Sequence, residues 1–301
     1  MVAAGGGRGA AGTVIAALPV PAPYSLERTL RSGQCFRWVL TPRGARGVVG
    51  GSVVWLRQRP EGLLVRCGGS ADSPRRLLRY LGADRPLAAV EGALARERPI
   101  SRLLPHTSGI GIMRQDPWEC LVSFVVSAFN NIPKIRMSIQ ALARCFGEPI
   151  ADGGAAGSEA RPVDWTFPCP ARLAEASLPA LRRCALGYRA RYVRDLARLV
   201  ADRTVDLDAL SRLPLGEARS ALLELPGVGE KVAECVLLFG LGHDEAFPVD
   251  VWVRRAVERW YFHGRSQTPR AIGAWARERF GALAGYAQQH LFVGARWARL
   301  S

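Results

Sequence analysis

"LPGVGEKVAEC" (225–235) lies between two stretches of helical period. Leu222, Leu223 and Leu225 close a first helix and Pro226 stops it. Gly227 and Gly229 let the chain turn with positive φ, and Val232, Ala233, Val236 and Leu237 supply the apolar face of a second helix. The pattern over 216–241 is helix, tight turn, helix. Such a turn aims backbone N–H groups outward at a helix N-terminus, where a phosphate can dock without side-chain help. An ordinary αα-hairpin with a glycine turn is the plainer alternative. Leu-Pro-Gly-Val-Gly with helical period on both sides makes a DNA-clamping hairpin the more specific one.

The same stretch holds one of only two lysines in the chain. Lys and Arg together number 41, and Lys occurs only at 134 and 231. Lys231 falls on the first turn of the second helix, the positive end of its dipole, where a carboxylate such as Glu230 is favoured and a cation is not. A guanidinium stays protonated and is no nucleophile, whereas an amine that gives up its proton can attack carbon. The position therefore reads as a nucleophile, with a phosphate-binding surface lysine as the alternative. Further on, "AFPVDVWVRRAVERWY" (246–261) places Asp250 directly before an amphipathic helix. There it can cap the helix and also serve the amine as an acid/base and electrostatic partner. Cys235, four residues after Lys231, shares its helical face.

Working outward, the segments from about residue 108 are helical. "RQDPWECLVSFVVSAFNN" (114–131) carries Asp116 as N-cap, Pro117 at the first helical position and Glu119 in capping-box spacing. Pro133 restarts a helix through "KIRMSIQALARCFG" (134–147), residues 148–163 form a Gly/Ala/Pro loop, and helical period resumes over 170–203. Upstream the pattern is mixed. "GVVGGSVVWLRQ" (47–58) and "GLLVRC" (62–67) are short β-branched runs with hairpin turns between them, while "SPRRLLRYL" (73–81) and "PLAAVEGALARE" (86–97) are helical. The expectation is an α+β protein: a disordered Gly/Ala/Pro-rich leader at 1–20, an antiparallel sheet domain at 21–107 and an all-helical domain at 108–301.

Composition narrows the function. With 301 residues, 49% hydrophobic and 22% charged, the chain can bury a core of one large or two ordinary domains. A net charge of +15, with arginines along the whole length, marks a polyanion binder, nucleic acid before anionic membrane. Seven scattered cysteines without a CxxC pair argue against a disulfide scaffold, a zinc ribbon or an iron–sulfur loop, and four histidines without ligand spacing argue against a catalytic metal. No run of 18 apolar residues offers a membrane span.

Hairpin, lysine and later aspartate together resemble the helix-hairpin-helix base-excision glycosylases. "SGQCFRW" (32–38), "RQDPWECLVSFVVSAFNNI" (114–132), "LGYRARYV" (186–193), residues 222–261 and "GYAQQHLF" (285–292) narrow the resemblance to the 8-oxoguanine DNA glycosylase/AP lyase family. The resemblance implies a TBP-like sheet half and a bifunctional enzyme of base excision repair acting on double-stranded damaged DNA. It implies that Lys231 attacks C1′ and forms a Schiff base, with Asp250 stabilising the oxocarbenium. The base pocket would comprise Gly33, whose carbonyl accepts N7–H of 8-oxoguanine, with Gln288 on the Watson–Crick edge and Phe292 and Cys235 on the two faces. Phe129, Asn130, Asn131, Lys134, Tyr188, Arg189, Gly227, Gly229 and Trp252 would meet the DNA. The carbonyls of Leu223, Leu225 and Val228 would hold a monovalent cation, with no iron–sulfur cluster and no zinc. A monomer inside the cell, with the DNA of nucleoid or nucleus, is expected.

Three positions depart from the family pattern. Phe129 stands where an asparagine is common, Lys134 replaces an arginine that helps read the opposite cytosine, and Trp252 replaces a phosphate-holding histidine. These leave the chemistry untouched and bear on stringency for the opposite base, with Phe129 able to act as an intercalating wedge. Two alternatives remain: a non-catalytic hairpin DNA-binding protein, and a glycosylase of the same superfamily with another lesion.

Overall fold

The computed structural model describes residues 7–9, 13–68, 74–150 and 164–297. Six strands form one antiparallel sheet: β1 (Gly7–Gly9), β2 (Thr13–Pro19), β3 (Val39–Thr41), β4 (Gly44–Val49), β5 (Ser52–Arg59) and β6 (Gly62–Gly68), in the order β1-β2-β6-β5-β4-β3. The β4–β5 and β5–β6 hairpins fall where the β-branched runs place them.

The leader is a correction. β2 pairs with β6 from Thr13↔Gly68 to Pro19↔Gly62 and with β1 on its other side. The stretch "TVIAALP" opens on three β-branched residues, and Leu18 is buried in the core. Pro19 ends the strand instead of preventing it. Residues 1–6 and 10–12 lie outside the described part.

α1 (Leu26–Arg31) precedes β3, and α2 (Pro74–Tyr80), α3 (Leu87–Leu94) and α4 (Arg98–Thr107) follow the sheet. The helical part begins with α5 (Pro117–Ser127) and α6 (Ile132–Phe146), followed by a small ladder of β7 (Pro149–Ile150) and β8 (Asp164–Trp165). Next come α7 (Pro170–Ala174), α8 (Leu178–Leu181), a kink at Arg182–Leu186 where Ala185 takes φ +60°, α9 (Arg189–Ala201) and α10 (Leu207–Leu210). The hairpin pair is α11 (Leu215–Leu223) and α12 (Glu230–Val236), extended by a π-helical turn at Leu237–Leu241. α13 (Val251–Tyr261), α14 (Pro269–Phe280) and α15 (Ala284–Trp297) complete the chain.

α5 is the buried axis. Every residue from Cys120 to Val126 is buried, so the helix is apolar all round. Asp116 caps it, accepting the Glu119 N–H at 2.8 Å. The reciprocal half of the capping box does not form, because the Glu119 carboxylate pairs with Arg37 at 3.1 Å and so ties the β3 approach to α5. The two halves share one hydrophobic core, and α15 packs back on α4. Among the described residues no helix is long and apolar enough to cross a membrane.

Candidate active site

In the hairpin, Leu225 N–H donates to Leu222 O and Val228 N–H donates to Leu225 O, both at 3.1 Å. Gly227 has φ +76°, and a Cβ there would lie 2.7 Å from the Tyr192 ring, so backbone and ring approach as only glycine permits. Gly229 is the N-cap of α12, with no side-chain cap bond, so backbone N–H groups at this helix start lack a side-chain acceptor.

Lys231, the second residue of α12, reaches across to α5. Its ammonium donates to Ser127 Oγ at 2.7 Å and lies 5.1 Å from the centre of the Phe124 ring. The Ser127 hydroxyl donates its own proton to Phe124 O at 2.6 Å, which leaves its lone pairs to receive the amine. The lysine tip is thus aimed by one hydroxyl and one aromatic face. Asp250 caps α13 through a single oxygen: Oδ1 accepts from Trp252 N–H at 3.0 Å and Val253 N–H at 2.8 Å, leaving Oδ2 outside the cap. Burial raises the Asp250 carboxyl above its ordinary value of 3.8, opposed by the cap N–H groups and by the Lys231 charge.

Lys231 and Asp250 line one cavity of about 350 Å³ together with Gly33, Cys235, Gln288, Phe292, Asn130, Asn131 and Trp252. That volume lies within the range of small-molecule sites. Gly33 is held by its neighbour: the Gln34 amide donates to Ser32 Oγ and Gly111 O and accepts Met113 N–H, each at 2.8 Å. Gly33 itself has φ +85°, with the Phe292 ring 3.2 Å from where a Cβ would stand. Burial pushes the Cys235 thiol up to about 12 in spite of the nearby Lys231 charge, so it is a packing group and not a nucleophile. Gln288 Nε2 donates to Pro248 O at 3.0 Å.

The remaining expected residues gather beyond the end of α5. Phe129 is 98% exposed and holds φ +49°, a left-handed backbone that a bulky residue seldom adopts. Asn130 Nδ2 donates to Val126 O at 3.1 Å while its Oδ1 accepts Asn131 N–H, and Asn131 Oδ1 caps α6 by accepting Lys134 N–H at 3.0 Å. Arg189 is only 7% exposed. Its Nε donates to Ala128 O at 2.9 Å and its Nη2 to Phe129 O at 3.1 Å, with the guanidinium 4.4 Å from the Tyr188 ring centre. The arginine expected at the DNA interface holds the strained turn in place. Tyr188 and Trp252 are 56% and 41% exposed, and Lys134 is exposed.

Sequence reasoning missed Ser127, Phe124, Gln289 and Arg296, which also line the cavity. Ser127 and Phe124 sit inside a uniformly apolar helix, where no periodicity singles out one face. Gln289, next to the expected reader, was the one visible signal.

An amine, a desolvated carboxylate and a cavity sized for one base, beside an exposed aromatic prong and a glycine hairpin, define a helix-hairpin-helix base-excision enzyme. Residues 122–281 match the HhH-GPD superfamily of base excision DNA repair proteins, and residues 17–121 match the N-terminal domain of 8-oxoguanine DNA glycosylase. The chain belongs to the 8-oxoguanine DNA glycosylase/AP lyase family. It is 34% identical over 221 residues to a probable N-glycosylase/DNA lyase of Methanothermobacter thermautotrophicus, covering 66% of this chain and 68% of that one. It is 33% identical over 288 residues to the N-glycosylase/DNA lyase OGG1 of Arabidopsis thaliana, covering 89% and 76%. Its fold superposes with TM-score 0.88 on the Clostridium acetobutylicum 8-oxoguanine glycosylase/lyase in complex with double-stranded DNA containing cytosine opposite 8-oxoguanine. That match has 27% identity and covers 99% of each chain.

Proposed function

We infer that this chain is a bifunctional DNA glycosylase/AP lyase that removes 8-oxoguanine from duplex DNA in base excision repair. The observation that carries the reading is the opening of Lys231 and Asp250 onto one base-sized cavity. The lesion nucleotide leaves the stack at a cost of about a few kcal/mol and enters the cavity. The Lys231 amine, having lost a proton, forms a bond to C1′ as the C1′–N9 bond breaks and 8-oxoguanine takes the electron pair. Ionised Asp250, close enough to feel the Lys231 charge, stabilises the cationic sugar as the bond breaks. Ring opening gives the Schiff base, removal of a C2′ proton expels the 3′ phosphate, and water releases the enzyme.

Recognition divides between the cavity walls. The Gly33 carbonyl accepts N7–H, which guanine lacks, and Gln288 reads the Watson–Crick edge while Phe292 and Cys235 cover the two faces. Outside, Phe129 fills the vacated stack and Tyr188, Asn130, Asn131, Lys134 and Trp252 face the duplex, with the Gly227–Gly229 turn on the backbone. Arg189 contributes by fixing the Phe129 turn. Leu223, Leu225 and Val228 offer carbonyl oxygens in one turn, a donor set suited to a hard monovalent cation, although the Leu225 oxygen already receives the Val228 N–H. No step passes through such an ion, and neither zinc nor an iron–sulfur cluster is invoked. The enzyme works as a monomer on cellular DNA.

Borohydride trapping on a duplex with 8-oxoguanine opposite each base tests this. A covalent adduct with the wild type that is absent in Lys231→Gln supports amine catalysis. An adduct on abasic-site DNA alone would reassign the lesion, and none on either would favour a non-catalytic hairpin protein.

A further inference from the structure

The cavity wall contains a directional relay of two side-chain amides. A backbone carbonyl can only accept, so Gln288 must turn Nε2 toward Pro248 O, 3.0 Å away. Its Oε1 then faces the next residue, and Gln289 must present its own Nε2, which donates to Gln288 Oε1 at 2.8 Å. Reversing either amide would set oxygen against oxygen. The price of this alignment is visible at its far end, where Gln289 Oε1 is buried without a partner. Both glutamines are almost fully buried, at 4% and 3% exposure, and both line the cavity.

The alignment matters because a primary amide is ambidextrous. It carries an N–H donor and a carbonyl acceptor side by side, and a half-turn about its terminal bond exchanges them. Guanine-type bases present an O6 acceptor beside an N1–H donor, and adenine-type bases present an N6–H donor beside an N1 acceptor. A freely turning glutamine pairs with either. After the contacts to Pro248 O and Gln289, Gln288 keeps one N–H and one Oε1 lone pair in fixed order.

We propose that Gln289 is a specificity-determining positioning residue, which, as the second contact beside Pro248 O, holds the Gln288 amide in one orientation and so makes the pocket select 6-oxo over 6-amino purines. This rests on the glycosylase reading, with Gln288 as the reader of the base edge. Gln289 touches Gln288 and acts on the base through it.

The test compares 8-oxoguanine with 8-oxoadenine, each opposite cytosine in the same duplex, in single-turnover excision. Both bases carry N7–H and an 8-oxo group, so the Gly33 contact is common to them and the Watson–Crick edge differs. Gln289→Met keeps the volume and removes the donor. It should excise 8-oxoguanine at a modestly reduced rate, while the preference for 8-oxoguanine falls by about tenfold or more, the usual scale of one bidentate contact. Gln289→Glu, which sets a carboxylate against Gln288 Oε1, should lose more of the preference. Strand cleavage at a pre-formed abasic site reports the fold and Lys231 without any base and should stay at the wild-type rate. An unchanged ratio of the two lesions in both variants overturns the assignment. So does loss of abasic-site cleavage in both, since Gln289 would then be holding the fold. A wild type that leaves 8-oxoguanine in place would instead remove the underlying functional reading.

Discussion

Two phenylalanines on and just beyond helix α5 have opposite surroundings. Phe124 is 3% exposed, stacks on Phe239 at 5.5 Å, meets Phe36 edge-on at 5.7 Å and carries the Lys231 ammonium over its ring. Phe129 is 98% exposed and sits on a left-handed backbone held by Arg189. The inner ring is surrounded before DNA arrives, and it supports the Lys231 ammonium on its face. The outer ring packs against nothing in the protein, as a group meant to fill a vacated stack would. A buried cavity can discriminate atom by atom, because each unpaired polar group in it costs about 1–3 kcal/mol. An exposed aromatic supplies stacking that every base accepts. On the proposed reading, selectivity for the lesion belongs to the cavity, and tolerance of context belongs to the prong.

The largest expected effect lies inside. Lys231→Gln should abolish the borohydride adduct and lower base excision on the order of 10⁴-fold, as loss of a covalent nucleophile does. Duplex binding, measured by titration of a fluorescent lesion duplex, should stay within a few-fold of wild type. A comparable fall in binding would mean that the lysine is a phosphate contact, and the contrast between chemical interior and binding exterior would collapse.

Asp250→Asn comes next, with excision down roughly 10²–10³-fold, the scale of losing one preorganised electrostatic group. Asparagine caps helices as well as aspartate, so the Trp252 and Val253 N–H groups keep their partner. Burial raises the folded-state pKa of Asp250, so between the ordinary carboxylate value and that raised value the unfolded chain loses its proton first and stability falls as pH rises. Above that window ionised Asp250 costs stability, and the asparagine variant should melt no lower than wild type at neutral pH. The same shift moves the acid limb of kcat/KM upward from the ordinary aspartate value, and the limb should vanish in the variant's residual activity. A melting temperature several degrees lower would show that the carboxylate is there for the fold.

How much of this was legible in the sequence follows the same division. The hairpin, Lys231, Asp250 and the strand runs at 47–67 were readable because caps, glycine turns and alternation act over a few residues. Glu119 was readable as a capping-box residue, yet its partner is Arg37, 82 positions away, and nothing local announces such a pair. Ser127 was hidden for a similar reason: in a helix buried on every side, one hydroxyl shows its purpose only when α12 is laid against it. Arg189 entered as a DNA contact through resemblance alone, and only the tertiary position of the Ala128 and Phe129 carbonyls shows what it also holds. The leader was misread because Gly, Ala and Pro outweighed the β-branched Thr13, Val14 and Ile15, whose strand finds its partner, β6, more than 40 residues on.

Gly33→Ala sharpens the comparison from the cavity side. Alanine at φ +85° is strained, and its methyl would stand 3.2 Å from the Phe292 ring and 3.3 Å from Ile132 Cδ1. The loop must shift, moving the carbonyl proposed to receive N7–H. Excision of 8-oxoguanine should fall about tenfold to a hundredfold, while cleavage at an abasic site, which brings no base, stays near wild type. Equal losses on both substrates would show that the loop holds the sugar and not the base.

Phe129 should give the smallest change in chemistry and one of opposite sign in stability. A ring that is 98% exposed contributes no packing to the fold, and its φ of +49° costs about 1 kcal/mol or more relative to glycine. Phe129→Gly should therefore raise the melting temperature by a few degrees, even after the greater backbone freedom of glycine in the unfolded chain is counted against it. Excision should fall about tenfold, the loss of one base-stacking contact at roughly 1–3 kcal/mol, and by a similar factor whichever base stands opposite the lesion. Phe129→Ala keeps the strain and loses the ring, so it should match the glycine variant in excision without its gain in stability. That pairing separates the two roles of the residue. If both variants keep wild-type excision, the prong does not enter the duplex, and the strained turn that Arg189 maintains has some purpose other than filling the stack.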